Sequence, residues 1–448
     1  MIVCKFGGSS VANAEQIRKM INIINTNEER RIVIVSAPGK RFDQDVKVTD
    51  LLIQLYDKVL LSENYDIELT KVLNRFESIA QELELKTPLI HLFESQLKGY
   101  IQKYNNHPLR LLDAIKSSGE DFNAQLIAAF NSQLGVKTTY LSPKELQLIV
   151  SDEPGNAIIH PDSYDKIYQV IQEIDGKIII PGFFGVNENS DIVTFSRGGS
   201  DITGAILSRS VHADIYENFT DVSGIFAANP KIVDNPASIH NLTYAEMREL
   251  SYAGFNVFHD EALMPLYKEG IPVNIKNTNE PEHPGTMITK TRQSVGVVGV
   301  SCDAGFVSIN MTKYLMNREV GFTRKLLTIL EEHNISYEHM PSGIDDISII
   351  IRKNQFNDNL YELVTEIQDR LHVDDISVEE DIAILMIVGL GMKTLIGTAN
   401  KATEAFRNNH INIKMINQGS SEISMMFGIY EADEKKAVKA IYDAYFTA

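Results

Sequence analysis

Two short segments combine a basic residue, a pair of glycines and hydroxyl residues, a pattern typical of loops that hold a phosphate. The first is CKFGGSSVAN at 4–13, in which Lys5 ends a short apolar run before Gly7, Gly8 and Ser9. Glycines let the backbone approach an anion closely, and the N-terminus of a following helix presents unpaired N–H groups and partial positive charge. Taken alone, the segment fits either a phosphate loop or an ordinary strand-to-helix turn.

A second segment repeats the pattern and favours phosphate binding. In TFSRGGSDITGAIL at 194–207, Arg197 takes the place of the lysine, and Gly199, Ser200 and Asp201 precede or open a predicted helix. Two such loops at one sheet edge would offer a phosphate-rich ligand two groups of backbone amides and two cations. The sequence contains no G-x-x-x-x-G-K-[ST] motif, so the chain is not a P-loop enzyme.

Two further segments leave alternatives open. In KSSGEDFNAQLIAAF at 116–130, Gly119 and Glu120 precede a predicted helix. The residues favour Glu120 as an acid matched to the dipole of a first helical turn, and the alternative is a carboxylate that faces a ligand ammonium. The segment YENFTDVSGIFAANPKIV at 216–233 is either a loop that closes over a nucleotide base or a surface turn.

Strands and helices alternate over residues 1 to about 290, which predicts the sheet that positions these loops. Apolar runs that are continuous, as expected of strands buried on both faces, lie at 31–37, 177–185, 191–196 and 271–277. Between the strands lie amphipathic helices; in one, Ile17, Met20, Ile21 and Ile24 share a face. The pattern predicts a mostly parallel α/β sheet that binds ligands beyond the carboxyl ends of its strands.

After a segment rich in Pro, Gly and charge at 278–294, the sequence repeats itself with an offset of 76 residues. ISYEHMPSGIDDISI at 335–349 matches INIKMINQGSSEISM at 411–425, and Gly343 pairs with Gly419. Each copy reads as strand, helix, strand, strand, helix. The C-terminal part therefore contains two copies of a unit of about 70 residues.

Composition limits the compartment and the partners. The chain has 448 residues, of which 44% are hydrophobic and 23% charged, as expected of a folded protein with more than one domain. A net charge of −18 without a Lys/Arg run argues against nucleic acid as a partner. The longest uncharged apolar run, 382–392, is shorter than the ~20 residues that span a bilayer, so we expect no membrane insertion. Cys4 and Cys302 lack a metal-like spacing, which indicates a reducing, cytoplasmic location.

The motifs KFGGSSV, SRGGSD, TDVSGIF and INIKMINQGSSEISM, in this order, resemble those of the aspartate kinase family, and the likeness covers essentially the whole chain. The resemblance implies an α/β amino-acid-kinase fold, followed by two βαββαβ ferredoxin-like ACT domains. We expect a catalytic domain at 1–290, a linker at 291–304, a first ACT domain at 305–375 and a second at 380–448. Family members often thread one ACT unit partly through the other.

The family reaction uses ATP with Mg²⁺ to phosphorylate the side-chain carboxylate of L-aspartate, in the first step of lysine, threonine and methionine biosynthesis. The acceptor is already ionised at neutral pH, so the enzyme has to align two anions and neutralise charge rather than supply a strong base. The resemblance implies that Lys5 and Asp201 are catalytic and that ATP also contacts Gly7, Gly8, Ser9, Ser200, Thr220, Asp221, Phe226 and Lys231. It implies that aspartate contacts Ser36, Thr49, Gly199, Arg197 through its α-carboxylate and Glu120 through its ammonium. No protein-borne metal site is predicted.

The sequence departs from the family pattern around the expected nucleotide base. Phe226 stands where a tyrosine is usual, Asn229 replaces an aspartate, Lys231 replaces an arginine, and Asn256 stands where the family generally has a lysine. We therefore expect altered base contacts and intact phosphate and aspartate loops.

The ACT domains imply a homodimer under feedback control by lysine, threonine or both. The resemblance assigns effector contacts to Met316, Glu319, Phe322, Thr323, Ser336, Tyr337 and Glu338, several of which would serve equally to cap and pack the ACT helix.

Two other functions compete with this one. The first is a different amino-acid kinase, acting on glutamate, N-acetylglutamate or a nucleoside monophosphate, although Arg197 with Glu120 suits a free α-amino acid. The second is a catalytically silent ACT sensor of amino acids, and the residues that argue against it are Lys5, Glu120, Arg197 and Asp201.

Overall fold

The structure is a computed structural model and describes residues 1–196, 198–255, 258, 263–293, 296–356 and 359–447. It divides into two compact units. The first contains Met1–Ile225, Ser238–Met247 and Asn256–Arg292, and the second contains Phe226–Ala237, Arg248–Phe255 and Gln293–Ala448.

The strands from the N-terminus to Thr289 are β1 (Ile2–Phe6), β2 (Arg30–Val35), β3 (Thr138–Tyr140), β4 (Lys177–Pro181), β5 (Phe184–Val186), β6 (Ile192–Thr194), β7 (Ile215–Thr220), β8 (Ile225–Phe226), β9 (Ser238–Ile239), β10 (Asn241–Thr243), β11 (Val273–Asn277) and β12 (Thr286–Thr289). The helices are α1 (Ala14–Asn25), α2 (Val48–Leu60), α3 (Asp66–Glu82), α4 (Ile90–Tyr104), α5 (Pro108–Gln133), α6 (Ser163–Gln172), α7 (Gly199–Ser210), α8 (Tyr244–Tyr252) and α9 (Leu263–Glu269).

The main sheet of the first unit has the strand order β10-β12-β11-β7-β1-β2-β4-β3. Its strands pair in parallel except for β11 with β12, which are antiparallel. β1 and β4 are buried along their whole length, because helices cover both faces of a parallel sheet. The predicted mostly parallel α/β sheet is confirmed.

Helix α1 follows the first glycine loop as the sequence predicts. Asn13 caps it by accepting a hydrogen bond from the Gln16 N–H at 3.0 Å. The four predicted apolar residues, Ile17, Met20, Ile21 and Ile24, are all buried. Packing of this face against the sheet fixes the direction in which the chain leaves the loop.

The second unit contains β13 (Gly299–Thr312), α10 (Phe322–Glu332), β14 (Asp346–Arg352), α11 (Leu360–Leu371), β15 (Asp375–Val388), α12 (Thr398–Asn408), β16 (Met415–Asn417), β17 (Ser424–Tyr430) and α13 (Glu434–Phe446). Helices α10 and α12 begin 76 residues apart, as do β13 and β15, so the repeat found in the sequence is present in the structure.

Both copies contribute strands to one sheet, in the order β14-β13-β15-β17-β16. Gly299–Asp303 lie within the segment expected to be a linker, but they form the start of β13 and pair with the end of β15. The later part of β13 pairs with β14 and with the start of β15. The bounds of the two ACT domains stay a prediction. Within the described ranges, no helix is long and apolar enough to cross a membrane.

Candidate active site

The basic end of β1 meets the acidic first turn of α7. Lys5 Nζ lies 2.6 Å from Asp201 Oδ1, and both side chains are about nine-tenths buried, at 11% and 8% exposure. Asn218 on the neighbouring strand β7 donates its side-chain N–H to the same Asp201 oxygen at 2.8 Å. The two glycine loops that the sequence singled out are thus joined by an ion pair.

The first glycine loop is fixed by backbone contacts on both sides. The Gly7 N–H donates to the Phe219 carbonyl at 3.0 Å, so this N–H belongs to the sheet and is not free for an anion. A Cβ on Gly7 would lie 3.7 Å from Lys5 Nζ, an ordinary van der Waals distance, so Gly7 lies directly beside the ammonium. The Gly8 carbonyl accepts a hydrogen bond from the Gly39 N–H at 2.9 Å. Ser9 follows in a short 3-10 helix, Gly8–Val11.

A cavity of about 260 Å³ opens beside the ion pair. Its lining contains seven of the residues expected to handle phosphate or aspartate, together with Phe183 and Gly198; the seven are Lys5, Ser36, Thr49, Glu120, Gly199, Ser200 and Asp201. A second cavity of about 600 Å³ shares Ser36, Thr49 and Glu120 with the first and extends along Gly8, Ser9, residues 37–43, Lys47 and Asp221. The two cavities together are large enough for a nucleotide triphosphate chain and a small amino acid.

Glu120 is a buried carboxylate without a full set of partners. It is 6% exposed, and its Oε2 has no hydrogen-bond partner among the described residues. Burial raises the pKa of Glu120 to about 8, against the lowering effect of the Ala37 backbone N–H and of the Lys116 and Lys5 charges. Such a group is satisfied when a cation enters the cavity.

The expectation that Gly119 and Glu120 precede a helix is wrong, because both lie well inside α5. Glu120 is therefore not a first-turn acid. The glycine serves packing: a Cβ on Gly119 would lie 2.8 Å from Ala37 Cβ and 3.2 Å from Leu52 Cδ1. This close approach brings α5 against the segment after β2 and carries Glu120 into the cavity.

Ser36 and Thr49 reach the same cavity from two ends of one loop. Ser36 follows β2, where its N–H donates to the Phe6 carbonyl at 3.1 Å, and its own carbonyl accepts from Asn123 Nδ2 at 2.7 Å. Thr49 lies in the first turn of α2.

Phe183 was not predicted from the sequence. Its φ of 79° is left-handed, which is costly for an aromatic residue. The Phe183 N–H donates to Thr203 Oγ1 at 3.0 Å, and a Cβ on Gly199 would lie 2.6 Å from the Phe183 ring. Gly199 thus lets the aromatic ring form one wall of the cavity. The only sequence signal is the PGFFG segment after β4.

Several predicted contacts stay predictions. Arg197 and Asn256 lie outside the described residues. Thr220 ends β7, and its hydroxyl donates to Asp221 at 3.2 Å. Phe226 and Lys231 belong to the second unit, and their role in base binding stays a prediction.

The predicted effector residues separate into packing and polar groups. Met316 and Phe322 are buried in the core of the second unit, and Thr323 is half-buried beside them in α10. Glu319 pairs with Lys313 at 2.7 Å and Lys325 at 2.6 Å, and these hydrogen bonds lower its pKa to about 2.

The remaining effector residues follow α10. Ser336 donates its N–H and hydroxyl to Gln355 Oε1 at 2.9 and 3.0 Å, and Ser336 and Tyr337 line a cavity of about 550 Å³. Glu338 accepts hydrogen bonds from Arg352 Nε at 2.9 Å and from the Tyr252 hydroxyl. Glu338 is therefore satisfied by protein groups in this structure.

Comparison with known proteins shows which family the chain belongs to. The sequence model of the amino acid kinase family matches residues 1–277. The sequence model of an ACT domain matches residues 385–445. Aspartokinase 3 of Bacillus subtilis is 49% identical, over 100% of this chain and 99% of its own. The crystal structure of Clostridium acetobutylicum aspartate kinase has a TM-score of 0.84 and 38% identity, over 99% of this chain and 100% of the other.

The fold is also that of E. coli aspartokinase III. Its complex with aspartate and ADP is 22% identical with a TM-score of 0.81, over 100% of both chains. Its complex with lysine and aspartate is 21% identical with a TM-score of 0.76, over 100% of this chain and 99% of the other.

Proposed function

Because the chain belongs to the amino acid kinase family and is an aspartate kinase with a C-terminal ACT domain, we propose that the cavity between Lys5 and Glu120 is where the γ-phosphoryl group of ATP passes to the side-chain carboxylate of L-aspartate. The product is 4-phospho-L-aspartate. The observation that carries this assignment is that one cavity places Lys5, Asp201 and Glu120 together.

Lys5 neutralises charge on the transferred group. Its ammonium stands at the end of β1, where Lys5 lines the cavity. During transfer, negative charge spreads over the phosphoryl oxygens, and a fixed cation in a buried site stabilises it more than water does. The ionised acceptor carboxylate needs no strong general base, so placing the two anions in line is the main task of the site.

Asp201 holds Lys5 in position, and Asn218 holds Asp201. The hydrogen bond from Asn218 orients the carboxylate, so its other oxygen is available to the phosphates or their metal ion. Gly199 and Ser200 lie at the N-terminus of α7, whose partial positive charge favours an anion there.

Glu120 receives the ammonium of aspartate, and Arg197 receives its α-carboxylate. The support for Glu120 is its buried, unpaired Oε2 in the cavity. Arg197 is proposed from the family resemblance and its place in the SRGGSD motif. Ser36 and Thr49, on the same cavity wall, supply hydroxyls to the substrate.

Mg²⁺ is proposed to enter with ATP. The described residues contain no group of three or more His, Cys, Asp or Glu side chains able to hold a metal ion. Mg²⁺ does not need such a group, because it is usually held by one or two carboxylates together with substrate phosphates and water. Asp201 on the wall of the smaller cavity and Asp221 on the wall of the larger one are the carboxylates that would hold it. The bound ion would add positive charge beside the phosphates.

The second unit is proposed to bind a feedback effector, with lysine as the first candidate because E. coli aspartokinase III was solved with lysine and aspartate. Glu338, Ser336 and Tyr337 would receive it. A homodimer formed through the ACT domains and a cytoplasmic location stay predictions, and light scattering of the purified protein tests the first.

A direct test of the site is ADP release from Mg-ATP, measured with and without L-aspartate. The proposal predicts release that depends on aspartate in the unaltered protein and is lost in Asp201→Ala. Release that is independent of aspartate, or unchanged in Asp201→Ala, would contradict it.

A further inference from the structure

Helix α3 carries an arginine on its buried face. Arg75 is 5% exposed and lies among Leu69, Val72, Phe76 and Ile79, which pack α3 against the rest of the first unit. A buried guanidinium is costly unless its hydrogen bonds are satisfied. Its partners therefore show what the arginine holds together.

Arg75 joins three separate segments of the chain. Its Nη1 donates to Asp45 Oδ2 at 2.7 Å, and its Nη2 donates to the Gly39 carbonyl at 2.6 Å. The same Nη2 lies 3.4 Å from the Ala12 carbonyl, just after the 3-10 helix of the first glycine loop. Arg75 thus contacts the loop between β2 and α2 at two points and the end of the glycine loop at a third.

Asp45 closes the loop between β2 and α2 upon itself. It accepts hydrogen bonds from the Arg41 N–H and Nε at 2.9 Å and from Arg41 Nη2 at 2.9 Å, in addition to the bond from Arg75. The hydrogen bonds from Arg41 and then Arg75 hold the pKa of Asp45 well below its usual range. Asp45 is therefore ionised at neutral pH and is hydrogen-bonded to two arginines.

Gly39 connects Arg75 to the first glycine loop. Its N–H donates to the Gly8 carbonyl at 2.9 Å, and a Cβ on Gly39 would lie 2.7 Å from the Gly8 carbonyl carbon. The Gly39 carbonyl accepts a hydrogen bond from Arg75, and the Gly39 N–H donates one to the Gly8 carbonyl. Residues 37–43 line the cavity of about 600 Å³ together with Gly8 and Ser9.

We propose that Arg75 is a positioning residue for phosphoryl transfer, which acts by fixing Gly39 and Asp45 so that the loop at 37–47 holds Gly8 in place beside Lys5. Arg75 is not among the residues that line the two cavities. The inference rests on the function proposed above, since it concerns the loop that faces the transferred phosphate.

Steady-state kinetics of Arg75→Met, Arg75→Lys and Asp45→Asn test this role, with Lys71→Met as the matched control. Lys71 lies one turn earlier on the exposed side of α3, and its ion pair with Glu68 is 3.6 Å long. We expect Arg75→Met to lower kcat by about tenfold to a hundredfold with less than about a threefold rise in the KM for Mg-ATP, because misplacement of a group near the reacting atoms costs rate more than binding. Arg75→Lys, which keeps one donor for Gly39, should recover part of the kcat.

The outcomes separate the inference from its premise. An inactive unaltered protein refutes the proposed function, whereas an active one whose Arg75→Met and Asp45→Asn variants have unchanged kcat refutes the role of Arg75 alone. If Arg75→Met does not fold, Asp45→Asn decides, with at least about a fivefold loss of kcat expected from the loosened loop. An equal loss in Lys71→Met, or a rise in KM without a fall in kcat, also overturns the inference.

Discussion

Lys5 at the end of β1 and Asp201 in the first turn of α7 form a buried ion pair with an N–O distance of 2.6 Å. The pair joins two glycine loops that are far apart in the sequence, and Asn218 holds the carboxylate from the strand beside β1. An ammonium that is both buried and positioned needs little rearrangement to meet a phosphoryl group.

Replacement of Lys5 should remove turnover while the chain still folds. We expect Lys5→Met to lower kcat by about a hundredfold to a thousandfold, since a preorganised charge donor to the transferred group is lost. Circular dichroism should be unchanged, because Asp201 keeps its bond from Asn218. Lys19→Met, which removes a surface ion pair with Glu15, is the control. Equal kcat values for the two variants would exclude the proposed role of Lys5.

Binding of aspartate should depend on the ionisation of Glu120. Its pKa of about 8 means that Glu120 is mostly protonated at pH 7, and a bound ammonium favours the ionised form. Aspartate binding should therefore release a proton at pH 7, and affinity should rise about tenfold per pH unit from pH 6 towards pH 8 before levelling off.

Calorimetric titration in buffers of different ionisation enthalpy measures that proton. Glu120→Gln should bind aspartate weakly and without proton release. A proton count of zero in the unaltered protein would show that Glu120 does not receive the ammonium.

Gly119 should be intolerant of a side chain although it lies inside a helix. Gly119→Ala places a methyl group 2.8 Å from Ala37 Cβ, and overpacking of this kind costs about 1–3 kcal/mol of unfolding free energy. Gly99→Ala on α4 is the matched control, since a Cβ there meets nothing within 4 Å. The control should gain about 0.5–1 kcal/mol from helix propensity. Urea unfolding measures both, and a stabilised Gly119→Ala would refute the packing argument.

Effector control should depend on Glu338. Its carboxylate is held by Arg352 and Tyr252 in this structure, so a ligand ammonium has to compete with them. Glu338→Gln should raise the lysine concentration for half-inhibition by about tenfold, because a charge-assisted bond is lost. Glu362→Gln, on the exposed side of α11, is the control. Inhibition curves that coincide for Glu338→Gln and the unaltered protein would remove Glu338 from the effector site.

The sequence predicted the parts of the site that local patterns encode. The loops of Lys5 and Asp201 were singled out because a strand, a cation, glycines and a helix start follow one another in each, and the structure pairs the two residues beside one cavity. The burial of α1 followed from apolar spacing alone. Both predictions depend on a few neighbouring residues and on the periodicity of regular structure.

The features that the sequence misread or missed depend on distant contacts. Gly119 looked like a turn before a helix because glycine is rare inside helices, and its packing against Ala37 has no local signal. Arg75 resembles any surface arginine until Asp45 and the Gly39 carbonyl are placed beside it. Phe183 reaches the cavity only through a left-handed backbone that no composition rule predicts.

The most direct test of the central claim is trapping of the acyl phosphate with hydroxylamine in the presence of Mg-ATP and either L-aspartate or L-glutamate. The account predicts aspartate hydroxamate well above background, little product with glutamate, and loss of product in Lys5→Met. No hydroxamate from aspartate with folded protein, or equal yields from aspartate and glutamate, would contradict it.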